Sequence, residues 1–173
     1  MSYKALLDNL DDQTTLLILS NLTQDLREDI PEEEAKAIRS EEDARLAIIS
    51  FLNALGENTG HLSATTIIPD DADVKTVGRG MLELLLNDET ARSRTQDLIA
   101  HPPKEEQMSV ELAIAGAVIL GALITWLQTK VKIKIHRKDG KTEFEFEMIK
   151  DATDASTMKE LAQSLMALLK RPL

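Results

Sequence analysis

The 173-residue sequence contains no cysteine and little aromatic character. The lack of cysteine excludes disulfide frameworks, thiol catalysis and thiolate metal sites, and it fits a reducing compartment. Aromatic residues make up only 3% of the chain, whereas 43% of residues are hydrophobic, so the core must consist mainly of leucine, isoleucine and alanine. Such a core favours helices, and the chain length fits one domain or two small ones.

Positive charge is scarce in the first part of the chain. Residues 1–107 carry 10 Lys and Arg against 22 Asp and Glu, and residues 108–173 carry 10 against 8. Because an acidic surface repels phosphate, we expect no nucleic-acid partner. The N-terminal stretch MSYKALLDNLDDQ has aspartates where a secretion signal needs an unbroken apolar core, so it predicts no signal peptide and a cytoplasmic protein.

Helical periodicity begins close to the N-terminus. Asp11 precedes leucines at helical spacing, which predicts a helix over 12–28. A second helical pattern starts at Pro31, which three glutamates follow, and stops at Gly56. Ser40, with Asp43 three residues later, resembles a capping signal and predicts that this pattern is broken into two helices.

A turn-rich loop and two further helices complete the first hundred residues. Residues 57–73 are rich in turn formers, and helical spacing resumes over 74–85 and again over 88–100. The segment HPPKEEQ, residues 101–107, is predicted to be a linker because its paired prolines stop a helix. Residues 1–100 are therefore predicted to form an acidic, all-α helical bundle.

The pattern after the linker changes to an alternation of apolar and charged residues. It runs through 131–136 and 142–148, and Asp139-Gly140 between them is a strong signal for a two-residue hairpin turn. One register satisfies both faces of this hairpin. It pairs Ile135 with Phe144, Ile133 with Phe146 and Val131 with Met148 on the apolar face, and Lys134 with Glu145, Lys132 with Glu147 and His136 with Glu143 on the other.

The chain ends in another predicted helix. Asp154 and Ser156 are its candidate caps, and Leu161, Leu165 and Leu168 would share one side. The predicted fold class is α+β, mostly α. The N-terminal helical bundle is followed by a module over 108–173 that consists of an apolar helix, a β-hairpin and a C-terminal helix.

Two environments suit the apolar helix over 112–127, a lipid bilayer and the interior of a protein. Only Thr125 is polar within it, yet its length of about 24 Å falls short of the roughly 30 Å of bilayer hydrocarbon. Without this helix the hairpin would keep too small a core, which favours a helix buried in protein. The alternative is a single-pass inner-membrane protein, with Trp126 and the following lysines as interfacial anchors.

Small residues along this helix indicate a face for close helix packing. We expect an association face within 110–128 that joins the chain to a protein partner or, in a homo-oligomer, to a second copy. Its predicted members are Ala113, Gly116, Ala117, Gly121 and Trp126.

No motif points to catalysis, a cofactor or a metal. His61, His101 and His136 lie far apart in the sequence, and the acidic PDDAD segment lacks the spacing of a calcium loop. The GRG at 78–80 does not follow a strand, so close helix packing explains it better than phosphate binding. We therefore expect a protein that is not an enzyme and that has no cofactor.

Residues 108–170 resemble a bacterial protein family. The hydrophobic helix ending in ITWLQTK, the strand VKIKI, the return strand within KDGKTEFEF and the short final helix are similar to the effector-associated constant components of multi-gene bacterial conflict systems. Members of that family look like non-enzymatic companions of variable effectors. The resemblance implies a non-catalytic adaptor or regulatory component of an antiphage defence system, and it carries over no site residues. The alternative function is a membrane-anchored signalling or effector protein.

Overall fold

The computed structural model describes residues 3–104, 114–149 and 155–170. It confirms the predicted fold class, since eight α-helices and a short π-helix accompany one antiparallel hairpin in these ranges. In chain order the elements are α1 (Tyr3–Asp8), α2 (Asp12–Glu28), α3 (Glu32–Ala35), α4 (Glu41–Ala54), the π-helix (Val74–Gly78), α5 (Arg79–Asn87), α6 (Arg92–Ala100), α7 (Ala115–Gln128), β1 (Val131–Lys138), β2 (Lys141–Met148) and α8 (Ala155–Leu169).

Side-chain caps fix the starts of α2 and α4. The Asp11 carboxylate accepts a hydrogen bond from the Thr14 N–H at 2.7 Å, and the Ser40 hydroxyl oxygen accepts one from the Asp43 N–H at 3.0 Å. Each cap satisfies a backbone donor that the helix itself leaves free. The predicted helix over 12–28 and the predicted break at Ser40 are therefore confirmed.

The helix predicted from residue 74 differs from a regular α-helix in its first turn. Residues Val74–Gly78 form a π-helix, and α5 continues from Arg79. Gly78 lies against Thr15 of α2, which agrees with the expectation of close packing at the GRG segment. The short helix α1 has no counterpart among the sequence predictions.

The hairpin has the predicted register at every pair. Val131 lies opposite Met148, Ile133 opposite Phe146 and Ile135 opposite Phe144. The turn residues Asp139 and Gly140 have φ values of 50° and 74°, as a two-residue hairpin turn of the primed kind requires. The final helix begins at Ala155, and the candidate cap Asp154 lies outside the described residues.

Helix α7 lies inside the protein core. It packs against α2, α4, α5, the π-helix, α3 and β1, and Ile119, Leu123 and Leu127 are fully buried. The described residues on both sides of the predicted linker contribute to one hydrophobic cluster. The division into modules 1–100 and 108–173 thus stays a prediction about chain organisation. Described residues of both ranges pack together around α7.

None of the helices within the described ranges combines the length and the apolar character that a membrane crossing needs.

The loop before the π-helix presses its backbone onto the first turn of α7. Ile68, a buried β-branched residue, adopts a φ of 50°, which is costly for its type. Arg45 holds this turn, because its guanidinium donates to the Ala64 carbonyl at 3.3 Å and to the Ile68 carbonyl at 3.2 Å. A Cβ placed on Gly116 would lie 2.5 Å from the Pro69 carbonyl oxygen, so only glycine allows this approach.

Two glycines on α7 provide a matched test of that packing. Gly116→Ala should destabilise the protein by about 1–3 kcal/mol, because the loop backbone must move away from the new methyl group. Gly121→Ala should be neutral or stabilise it by up to about 1 kcal/mol, since nothing lies within 4 Å of its Cβ position and alanine favours a helix. Urea unfolding of both variants, at a protein concentration where the chain is monomeric, measures the difference, and equal midpoints would contradict the packing of Pro69 on Gly116.

Candidate association surface

One sector of α7 remains open to solvent in its first half. Ile114, just before the helix, is 43% exposed, and Ala117, Val118 and Gly121 are partly exposed. These residues are spaced by three or four positions, so they form a single strip along the helix. We call these four residues the α7 strip. It contains no charge and no hydrogen-bonding side chain.

The same side of the helix is buried in the second half of α7. Thr125 is 7% exposed and Gln128 is 5% exposed. The Gln128 side-chain amide donates to the Glu34 carbonyl of α3 at 2.5 Å, which brings α3 over the end of the helix. The α7 strip therefore ends where Gln128 contacts α3.

The structure divides the five residues predicted for the association face. Ala117 and Gly121 lie in the α7 strip, whereas Gly116 and Trp126 are buried in the protein, and Ala113 lies outside the described residues. Successive helical residues are rotated by about 100°, which puts Gly116 roughly 140° from Gly121. Ile114 lies three positions before Ala117, and Val118 lies three positions before Gly121, so helical spacing could have identified them as members of the same strip. The sequence analysis missed both.

Trp126 is a core residue instead of an anchor at an interface. It is 2% exposed, and its indole N–H has no hydrogen-bond acceptor among the described residues. A buried, unpaired donor carries a desolvation cost of about 1–3 kcal/mol. The burial of its large ring outweighs that cost, so the side chain contributes to packing within the chain.

A polar cleft of about 530 Å³ lies where the α5–α6 turn, the α7–β1 turn and α8 meet. Its central feature is an ion pair between Lys130 and Asp88, with 2.6 Å between the ammonium and the carboxylate. Lys130 also donates to the Thr90 hydroxyl at 3.0 Å. Met148 and Leu161 provide apolar walls. Sequence reasoning missed the pair because its members are far apart in the chain and neither belongs to a motif.

The Asp88 carboxylate is stabilised in its charged form. Burial alone would raise its pKa, since its side chain is only 8% exposed, but hydrogen bonds from Lys130, Thr90 and the Ala91 N–H outweigh burial and lower the pKa. A proton-transfer group would need a pKa shifted toward neutrality. The Asp88–Lys130 pair is thus suited to a structural role, in which it links the α5–α6 turn to the α7–β1 turn.

The histidines do not converge on one site. His101 lies 3.4 Å from an Asp97 oxygen, and His136 lies 3.2 Å from a Glu145 oxygen. His61 is an exposed residue of the loop before the π-helix. Within residues 3–104, 114–149 and 155–170, no three His, Asp or Glu side chains are grouped in a way that could hold a metal ion.

No protein-family model, curated protein or solved structure compared with the chain matches it. The resemblance of residues 108–170 to the constant components is therefore neither supported nor opposed by these comparisons.

The Asp88–Lys130 pair predicts a pH-dependent contribution to stability. Asp88→Asn should lower the free energy of unfolding by about 1–3 kcal/mol at pH 7, because Lys130 loses its charged partner. A lowered pKa means that this contribution is present above the unfolded pKa of about 3.9 and is lost as pH falls through the lower folded pKa. The free energies of unfolding of the wild type and of Asp88→Asn should therefore converge in acid.

Denaturant unfolding at several pH values measures this difference. Asp71→Asn, at an exposed aspartate, is the control and should match the wild type throughout. A deficit of Asp88→Asn that stayed constant into strong acid would contradict the role of the charged carboxylate.

Proposed function

We propose that the protein is a non-catalytic association component that self-assembles through the α7 strip. The supporting observation is the open position at Gly121, where a Cβ would have no atom within 4 Å, beside an Ile114 that is 43% exposed. Apolar residues around a glycine allow another helix to approach closely. A second copy of the chain would supply the same strip, as the isologous contact of a two-fold dimer does.

The chemistry of the α7 strip suits the centre of a protein contact. Charged residues are depleted at the cores of interfaces, and the strip has none. Four residues alone cannot provide the roughly 800 Å² per partner of a standard interface, so neighbouring polar residues must form a rim. The contact is expected to be of moderate strength.

The biological setting follows from the resemblance of residues 108–170 to the constant components. Those modules look like companions of variable effectors in bacterial conflict systems. We extend this role to the chain as an adaptor or regulatory component in the cytoplasm, with the assembled form serving as the platform for an effector.

A charge placed in the α7 strip tests self-assembly. The wild-type protein should sediment at a mass above 19.2 kDa, with the proportion of oligomer rising with concentration. Ala117→Glu should sediment as a monomer, because burial of an unpaired carboxylate in an apolar contact is unfavourable. Analytical ultracentrifugation over a concentration series measures both.

Ala167→Glu is the matched control, since Ala167 is an exposed alanine in the helix α8. It should keep the wild-type mass. A wild-type protein with the mass of one chain at every concentration, or an Ala117→Glu variant that remains oligomeric, would overturn the proposal.

A further inference from the structure

The strand β2 has one edge without a partner strand. The described sheet contains only β1 and β2, so each strand pairs along one side. β1 is the inner strand, with Val131 and Ile133 buried against the core, whereas no residue of β2 is fully buried. The outer edge of β2 therefore belongs to the less buried strand and has no partner strand among the described residues.

The hairpin register identifies which backbone groups lie on that edge. The Ile149 N–H donates to the Lys130 carbonyl at 3.3 Å, so residues 130 and 149 form a hydrogen-bonded pair. Hydrogen-bonded and non-hydrogen-bonded pairs alternate along an antiparallel ladder. The backbone N–H and C=O groups that point outward therefore belong to four residues of β2, and no other described residue bonds to them. They are Thr142, Phe144, Phe146 and Met148.

The side chains of these same residues leave apolar surface at the edge. Phe144, Phe146 and Met148 are only partly buried. Phe146 packs edge-on against Phe51 of α4 with 5.4 Å between ring centroids, and Phe144 stacks on Phe146 at 6.4 Å. An added strand could cover the outer side of these rings with its own apolar residues.

The opposite face of β2 is acidic, and its charges are incompletely paired within the hairpin. The ion pairs run diagonally instead of directly across, with Lys134 at 3.2 Å from Glu147 and His136 at 3.2 Å from Glu145. Glu143 is exposed and forms no ion pair with a described residue. The right-handed twist of a hairpin brings such diagonal neighbours within reach.

We propose that the β2 edge binds an extended peptide strand in which basic and apolar residues alternate. The outward backbone groups would bond to the peptide backbone, as in strand addition to a sheet edge. Its basic side chains would lie beside Glu143, Glu145 and Glu147, and its apolar side chains would cover the phenylalanines. This proposal rests on the proposed association function and names the chemistry of a protein partner.

A second copy of β2 fits this edge poorly. Antiparallel pairing of two β2 strands would place glutamates beside glutamates on the polar face, and like charges opposite each other destabilise a sheet. β1 shows the complementary pattern, because it alternates lysines with apolar residues and already pairs with β2. The occupant of the free edge should resemble β1.

A synthetic peptide with the sequence of residues 131–138 is therefore a suitable probe for the full-length protein. Fluorescence anisotropy of the labelled, end-capped peptide should show saturable binding that weakens with salt. A control peptide with glutamates in place of its lysines should bind roughly tenfold more weakly or worse, because attractive cross-strand pairs become repulsive.

Two protein variants locate the binding to the free edge. Thr142→Pro removes one outward N–H and leaves the ladder with β1 intact, so probe binding should fall roughly tenfold, the loss of about one hydrogen bond to a neutral partner. Glu143→Lys should weaken binding of the basic probe and strengthen binding of the acidic control peptide. Glu28→Lys, the same change on an exposed residue of α2, should alter neither.

A probe methylated on alternate backbone nitrogens checks the result without changing the protein. Methylation of the nitrogens that bond to β2 should abolish binding, and methylation of the other set should not. Absence of binding, equal binding of both peptides, or full binding to a folded Thr142→Pro variant would overturn the proposal. Ala117→Glu should retain probe binding and Thr142→Pro should retain the wild-type mass, so failure here is separable from failure of self-assembly.

Discussion

The need to cover α7 on nearly every side organises this protein. Eleven of its 14 residues are buried, and each large aliphatic side chain among them contributes roughly 1.5–3 kcal/mol when removed from water. A helix of this kind cannot rest on one layer of neighbours. α2, α4, α5, the π-helix and β1 surround it, and the loop turn held by Arg45 covers its first turn.

Burial of α7 explains how the two ends of the chain contribute to the packing. The acidic N-terminal helices supply most of the cover for α7, while β1 of the hairpin packs against α7 directly. Phe146 of β2 packs against Phe51 of α4. Charged residues are left for the outer surfaces, where they link elements: Lys132 lies 3.7 Å from Glu34 and Arg137 lies 3.1 Å from Asp43. Within the described ranges, the α7 strip and the outer edge of β2 are left without such links.

Features encoded by local pattern could be predicted from the sequence. The hairpin register followed from period-two alternation and the Asp139-Gly140 turn, and the start of α4 followed from the capping signal at Ser40. These signals depend on neighbours within a few residues. The exposure of the small residues on α7 was harder to predict, because a four-residue repeat of small side chains cannot tell which side of the helix a distant loop will cover. Gly116 faces Pro69, and nothing in either segment reveals that contact.

Long-range contacts and strained turns also escaped prediction. The Asp88–Lys130 pair joins two turns whose proximity depends on the whole fold, and the positive φ of Ile68 contradicts the preference of its residue type. The diagonal ion pairs of the hairpin required the twist of the strands in addition to their register. Local sequence thus determined the elements, and their packing determined which surfaces stay open.

Hydrogen exchange at the amides of residues 120–127 tests the central claim most directly. If α7 is enclosed by its own chain, these amides should exchange only through global unfolding, with an opening free energy equal to the unfolding free energy from denaturant. Exchange from these amides at a much lower free energy, while α2 stays protected, would contradict the enclosure of α7.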